Sequence, residues 1–279
     1  MVKSLYTFET AQNTAEKERL DELHISIRNY QNSQVAFAPQ IYEPSPRKIL
    51  DLGCGSGAWA FDVASQYPEA EVVVADASPT LQDAILLNNM RFQLVDVTQP
   101  LAFDPMSFDV VHARLLFTHV PDAVDAVKRA AELVKPGGWL FLEDLDVSSA
   151  IESGGPIVSK LLTLWTDILA MDGVDTGFGR KIESAIRSTS MFSAIHTQTV
   201  PVPVCDSMGV APELAQLGVT VRSTMKQVAA YWCARFAEEG ITKELTEKYA
   251  AELDSEVFQC LFDVYFVWAQ RMQSVLAVE

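Results

Sequence analysis

The chain has 279 residues, 49% hydrophobic and 21% charged: enough apolar material for one large domain or a capped one, and too much for a disordered or collagen-like chain. Its 37 acidic residues against 21 basic ones give a formal charge of −16 with histidine neutral. The excess is spread over both halves, 21 acidic to 11 basic up to residue 148 and 16 to 10 beyond it. Such a field repels phosphate backbones and anionic membranes, which excludes nucleic acid and membrane surfaces as partners. Cys54, Cys205, Cys233 and Cys260 lack the paired spacing of a zinc or disulfide framework. The polar stretch from Met1 to Leu23 has no apolar signal core, and no apolar run approaches the roughly 20 residues of a membrane span. The expectation is a cytoplasmic monomer or homodimer.

In chain order, residues 1–46 read as a helical cap. Lys48 to Leu52 is a short apolar run stopping at a glycine cluster, the pattern of a buried strand. Ala58 to Gln66 places Trp59, Ala60, Val63 and Ala64 at helical spacing, and Pro68 closes that helix. Glu71 to Ala75 is a β-branched strand ending at Asp76, and Thr80 to Asn88 reads as the next helix. Phe92–Val97 and Phe108–Ala113 are two more strands. Val120–Val134 is a helix terminated by Pro136-Gly137-Gly138, and Trp139–Leu142 a fifth strand. Ile157 to Met171 is an amphipathic helix carrying Leu161, Leu164, Trp165 and Leu169. Ile195 to Val204 alternates like a strand whose two prolines push it to a sheet edge. Ala211 to Ala251 is helix-rich with Gly218 and Gly240 as breaks. Cys260 to Ala269 is a last strand, or a helix, since Leu261, Tyr265 and Trp268 also share a helical face.

Strands alternating with helices require crossover connections, hence an α/β fold with a doubly wound, mostly parallel sheet covered on both faces. The expected division is a core at 47–206 with a helical insertion near 150–175, a helical lid at 207–258, and the final strand at 259–279. In such folds ligands sit at the carboxyl ends of the strands, and there the unusual residues lie.

Asp51-Leu52-Gly53-Cys54-Gly55-Ser56-Gly57 joins the first strand to the first core helix. Three glycines in five positions let the backbone turn tightly and approach a ligand, with the N–H groups of the following helix facing it. With Ala58 the loop also satisfies Gly-x-Gly-x-x-Ala, a dinucleotide-binding pattern, so a nicotinamide cofactor is an alternative. Asp51 at the end of the first strand and a second acidic site after the third tilt the choice away from it.

Together with Val72-Val73-Val74-Ala75-Asp76, Phe92-Gln93-Leu94-Val95-Asp96-Val97 and Leu133-Val134-Lys135-Pro136-Gly137-Gly138, this loop resembles the class I S-adenosylmethionine-dependent methyltransferases across residues 47–147. The resemblance implies a seven-stranded Rossmann-like sheet with helical lid insertions. It implies that Gly53, Gly55 and Gly57, with Asp51 and Cys54, pass close to the cofactor's methionine and ribose. By the same resemblance Asp76, beside Ala77, accepts from both ribose hydroxyls, a task a carboxylate can do in one contact. Asp96 takes the adenine amino group, the Val97 backbone reads the ring, and the Ala113 carbonyl faces the cofactor's amino group. The plain alternative for Asp76 and Asp96 is a helix cap or turn residue. A second likeness, through Glu18 to His24, Ala36-Phe37-Ala38-Pro39, His112-Ala113-Arg114, Trp139 to Asp144 and Gly177-Phe178-Gly179-Arg180, is to fungal secondary-metabolism methyltransferases, including the velvet-associated regulatory group. It implies a place for His24 over the cofactor carboxylate, although the usual Gln-His is Leu23-His24 here.

Methyl transfer is an in-line displacement, so the protein's tasks are alignment, desolvation and removal of the acceptor's proton. Candidate bases are His112, His119, Glu143 and Asp144, and the last two point to opposite faces of their strand. Arg114 either anchors a substrate carboxylate or pairs with a neighbouring acid, and Trp165 is a candidate substrate contact, with core packing as the ordinary reading of both Trp165 and its helix. The Glu143-Asp144-Leu145-Asp146 cluster suits a divalent cation only with a further ligand, and none is evident, so no metal is expected. No Asn-Pro-Pro-Tyr motif of amide and adenine N-methylating subtypes is present. The expected activity is methylation of a small-molecule acceptor, foremost O-methylation of a phenol or natural-product hydroxyl. N-methylation of an amine and a regulatory, partner-binding protein are the alternatives.

Overall fold

The computed structural model describes residues 14–31, 45–204, 209–255 and 259–273. Cys205 and the Ala36-Phe37-Ala38-Pro39 segment lie outside them. Seven strands form one sheet: β1 (Lys48–Leu52), β2 (Glu71–Asp76), β3 (Met90–Leu94), β4 (Phe108–Arg114), β5 (Val134–Asp146), β6 (Phe192–Pro203) and β7 (Leu261–Arg271). Their spatial order is β3-β2-β1-β4-β5-β7-β6. The first five run parallel, and β7 inserts antiparallel between β5 and β6. The helices are α1 (Thr14–Tyr30), α2 (Ala58–Gln66), α3 (Ala123–Glu132), α4 (Val147–Ser153), α5 (Pro156–Ala170), α6 (Ile182–Ser188), α7 (Pro212–Phe236) and α8 (Lys243–Leu253).

Period-two alternation in the central strands sends side chains to two cores. Leu50, Leu52, Val73, Val111 and Leu140 pack under α3 and α6, where small residues Ala123, Ala126 and Ala130 let α3 approach closely. Ile49, Val72, Val74 and Val110 face α2 through Trp59, Ala60 and Val63. A third core joins α1, α4, α5, α7 and α8 to Val200, Val202, Phe262, Val264 and Phe266 of β6 and β7. Helices therefore cover both faces, and a helical cap stands beyond the carboxyl ends of the strands.

Several expectations need correction. Residues 80–88 form successive turns, with Gln82 N–H on the Pro79 carbonyl at 3.1 Å and Ala84 N–H on Leu81 at 3.2 Å, and no helix. Only Leu81 of that stretch is buried while Ile85 is 96% exposed, so a helix there would have no apolar face to dock. The Pro136-Gly137-Gly138 turn does not separate helix from strand. It is an irregularity inside β5, which starts at Val134 and shifts register against β4 between Phe108 and Val110. Gly218 does not break α7 but lies within it, buried, because a Cβ there would collide with the Pro203 carbonyl oxygen. Gly240 does follow the end of α7, at positive φ. The prolines of β6 sit at the edge of the sheet, and residues 261–271 are a strand, paired on both sides.

Candidate active site

The carboxyl ends of β1, β2 and β4 open into one cavity of about 1500 Å³, roofed by α1, α5 and α7. At one end stands the glycine loop, whose Gly53, Gly55 and Gly57 all take positive φ. At Gly53 the positive φ favours glycine, and a Cβ there would also press on the Leu116 side chain. The Gly53 and Cys54 N–H groups bond the Ala75 carbonyl at 2.8 and 3.1 Å. The Gly55 N–H donates to Asp76 Oδ2 at 2.9 Å, and Ser78 N–H to Asp76 Oδ1 at 2.8 Å. Asp76 itself lines the cavity, and a carboxylate has lone pairs enough to accept further hydrogen bonds beside these. Burial raises the Asp76 pKa above the usual carboxylate range. Ala77 lies beside it, and Asp96, Val97, Thr98 and Gln99 continue the same wall. Asp96 is exposed and holds Thr98 through Oδ1 alone, at 2.9 Å to the N–H and 2.7 Å to the hydroxyl. Arg129 of α3, which the sequence reading missed, grips the Val97 carbonyl from Nη2 at 2.6 Å.

Under the loop, Asp51 and His112 form a buried pair, Asp51 Oδ1 to His112 Nδ1 at 2.7 Å. Burial lifts Asp51 to a pKa of about 7, opposed by the Arg114 charge, and pushes His112 well below its usual value, so the imidazole stays neutral. The ring lies flat on Trp59, centroids 3.6 Å apart at 10°. Its Nε2 has no hydrogen-bond partner. His112 thereby orients Asp51, which faces the cavity.

Arg114, at the end of β4, pairs through Nε with buried Glu143 and through Nη1 with His24 Nδ1 at 3.1 Å. Its Nη2 is buried without a hydrogen-bond partner, and Arg114 is among the residues lining the cavity. His24 of α1 also meets Asp62 at 2.9 Å, and burial followed by the Arg114 charge lowers its pKa. Glu143 further receives the Gln31 amide at 3.5 Å.

Beyond β4 the chain turns sharply at Leu115, a non-glycine residue at φ 51°. Such a conformation persists only where neighbours enforce it. Asp144 does so: it accepts the Phe117 N–H at 2.7 Å, the Thr118 N–H at 3.2 Å and the Thr118 hydroxyl at 2.8 Å. The turn carries His119 to the cavity wall, where its ring meets Trp165 edgewise at 6.4 Å. Burial, with a smaller push from Arg19, lowers His119 to a pKa of about 4. Neutral at ordinary pH, the ring can accept a proton.

The fold thus brings Asp51, Gly53, Cys54, Gly55, Asp76, Ala77, Asp96, Val97, His24, His112, Arg114, His119 and Trp165 to one cavity. Gly57, Ala113, Glu143 and Asp144 are not among its lining residues. Glu143 and Asp144 are spent on holding Arg114 and the turn after β4, so neither is placed to deprotonate an acceptor. Asp146 caps α4 through the Ser148 N–H at 2.9 Å and pairs with Arg180. Among the described residues no group of three or more His, Cys, Asp or Glu stands close enough to hold a metal ion. No described helix is long and apolar enough to cross a membrane.

The fold, with a glycine loop facing a carboxylate at the end of β2, defines a Rossmann-like α/β protein with a cavity at the carboxyl ends of its strands. Residues 26–181 match the family model of the methyltransferase domain. The chain is similar to methyltransferase str2 of Strobilurus tenacellus, 32% identical over 260 residues that cover 92% of each chain. It is similar over part of its length to the secondary metabolism regulator laeA of Monascus pilosus, 36% identical over 134 residues, 47% of this chain and 35% of that one. Phosphoethanolamine N-methyltransferase 2 of Haemonchus contortus, in complex with phosphomonomethylethanolamine and S-adenosylhomocysteine, shares the fold. Its TM-score is 0.58 at 17% identity, over 98% of this chain and 61% of that one. The chain belongs to the class I S-adenosylmethionine-dependent methyltransferases.

Proposed function

We propose that this methyltransferase acts on an oxygen of a hydrophobic small molecule. The cavity of about 1500 Å³ exceeds the roughly 300–1,000 Å³ of single-ligand sites, which supports a donor and an acceptor held together. The observation that carries the reading is the distribution of charge along it. The lining carboxylates are Asp51, Asp76 and Asp96 at the glycine end and the exposed Asp122, Asp125 and Glu239 at the rim. The rest of the wall is mostly apolar, with Leu23, Leu162, Trp165, Val228 and Phe266, and carries no further carboxylate to compensate a buried ammonium.

S-adenosylmethionine supplies a methyl group on a sulfonium sulfur. In this reading Asp76 receives the ribose hydroxyls, Asp96 and the Val97 backbone the adenine, Asp51 opposes the donor's ammonium, and the Arg114 guanidinium takes its carboxylate. That gives Arg114 to the donor rather than to the acceptor, with Glu143 and His24 fixing its plane. His119 takes the proton of the acceptor hydroxyl at a ring nitrogen as the oxygen–carbon bond forms, while the carbon–sulfur bond breaks and its electron pair stays on sulfur. The apolar wall excludes water from the exchange.

The test is incubation of purified protein with S-adenosylmethionine and matched phenols and amines, read by mass spectrometry. O-methylated phenols and stoichiometric S-adenosylhomocysteine are expected. N-methylated amines with untouched phenols overturn the reading. The partial likeness to laeA favours a second reading, a regulator acting through partners, and turnover with free small molecules opposes it.

A further inference from the structure

We propose that Thr224 of α7 is a specificity-determining residue, whose hydroxyl hydrogen-bonds a second polar group on a planar aromatic acceptor seated along the Trp165–Trp232 wall. The inference rests on the reading above and goes further, by naming the acceptor's class and the residue that recognises it.

Along α7 the residues Leu217, Val221, Val228 and Trp232 recur at spacings of four and seven positions and line the cavity, as one face of a helix must. Thr224 stands on that same stripe and also lines the cavity. It is 4% exposed, and its hydroxyl has no hydrogen-bond partner among the described residues. A threonine inside a helix ordinarily returns its hydroxyl to a carbonyl one turn back, as Thr220 does to the Gln216 carbonyl at 3.2 Å. Thr224 does not. Of the other buried hydroxyl residues lining the cavity, Thr118 is spent on Asp144 at 2.8 Å and Ser56 lies in the glycine loop, away from the α7 wall. Thr224 therefore offers an uncommitted hydroxyl in an otherwise apolar stretch of wall, and leaving it unmatched against an apolar ligand is unfavourable.

The opposite constraint comes from the aromatic rings. Trp165 of α5 and Trp232 of α7 stack at 4.4 Å and 22°, both nearly buried and both lining the cavity. The His119 and Trp165 rings meet edge to face, their centroids 6.4 Å apart. The proton-accepting ring is thus continuous with a flat aromatic surface, which fits a planar π-system better than a branched aliphatic chain. The charged side chains lining the cavity here, Arg235 of α7 and Glu239 just beyond its end, are exposed at the rim. The acceptor so described is a neutral aromatic with one hydroxyl at His119 and a second hydroxyl or carbonyl at Thr224.

The experiment uses the full chain loaded with S-adenosylhomocysteine and two probe pairs that differ by one hydroxyl: 2,6-dihydroxynaphthalene against 2-naphthol, and 4,4′-dihydroxybiphenyl against 4-phenylphenol. Calorimetry is expected to show one diol binding about tenfold more tightly than its partner, the size of one neutral hydrogen bond. Thr224→Val should erase that preference, Thr224→Ser should keep it, and S-adenosylhomocysteine affinity should be the same in all three proteins. No preference in either pair, or a preference that survives in Thr224→Val, overturns the proposal. So does a loss in Thr224→Ser as large as in Thr224→Val, which would mark Thr224 as a packing residue. Failure of the parent protein to bind S-adenosylhomocysteine, seen before any probe is added, would instead strike the proposed function itself.

Discussion

At the scale of single residues the site divides between groups that face the cavity and groups that hold them. Asp76 belongs to the first kind, and its two oxygens are already oriented by Gly55 and Ser78. Asp76→Ala should weaken S-adenosylmethionine binding by about 100-fold, the order of two charge-assisted hydrogen bonds, in a calorimetric titration of a protein that still folds. Asp51 gives a pH test. Its pKa is raised by burial to about 7, so the carboxylate ionises as pH rises through that value. Donor affinity should therefore fall as pH is lowered from 8 to 6, and Asp51→Asn should weaken binding and flatten that dependence. For stability the sign is reversed: a carboxyl whose folded pKa is raised favours the folded state below its unfolded value, and that contribution is lost as pH rises through about 7. His119→Gln should lower kcat by about 100-fold while leaving donor affinity unchanged in the same titration, the loss expected for a general base. Because its pKa is lowered to about 4, the wild-type rate should show no His119 limb between pH 6 and 8.

At the scale of elements, the alternating strands and the glycine loop are legible in the sequence because burial on both faces writes continuous apolar runs such as Val72-Val73-Val74. The turns at 80–88 are not, since Ile85, Leu86 and Leu87 carry apolar periodicity that nothing docks. Asp144 shows why the base could not be chosen from sequence: its position beside Glu143 is visible, but its bonds to Phe117 and Thr118 depend on how β4 turns at Leu115. Thr224 and Trp232 were missed for a related reason. Their stripe is readable as a helix face, whereas the cavity it meets is made by α1, α5 and β7 from distant parts of the chain. Gly218 shows the same limit, being read as a break although it marks the crossing of α7 over β6. Gly218→Ala should cost about 2 kcal/mol by overpacking and lower the thermal midpoint, since the obstacle is backbone rather than a movable side chain. Unchanged melting would show that α7 can shift away from Pro203.

At the scale of the molecule, the proposed function has one sheet serve two ligands. The ends of β1 and β2 present the carboxylates of the donor end, and the turn after β4 carries His119 to the boundary with the apolar compartment roofed by α5 and α7. The surplus of 16 negative charges keeps phosphate backbones away while leaving neutral aromatic solutes unaffected. The account stands or falls on both ligands meeting in that single cavity with the acceptor oxygen beside His119. The most direct measurement is a crystal structure of the protein with S-adenosylhomocysteine and 2,6-dihydroxynaphthalene bound together. The account predicts the ribose on Asp76, the sulfur directed toward His119, and the aromatic ring on Trp165 with a hydroxyl within hydrogen-bond distance of the imidazole. An aromatic ring bound anywhere else, or a donor whose sulfur turns away from His119, would contradict it.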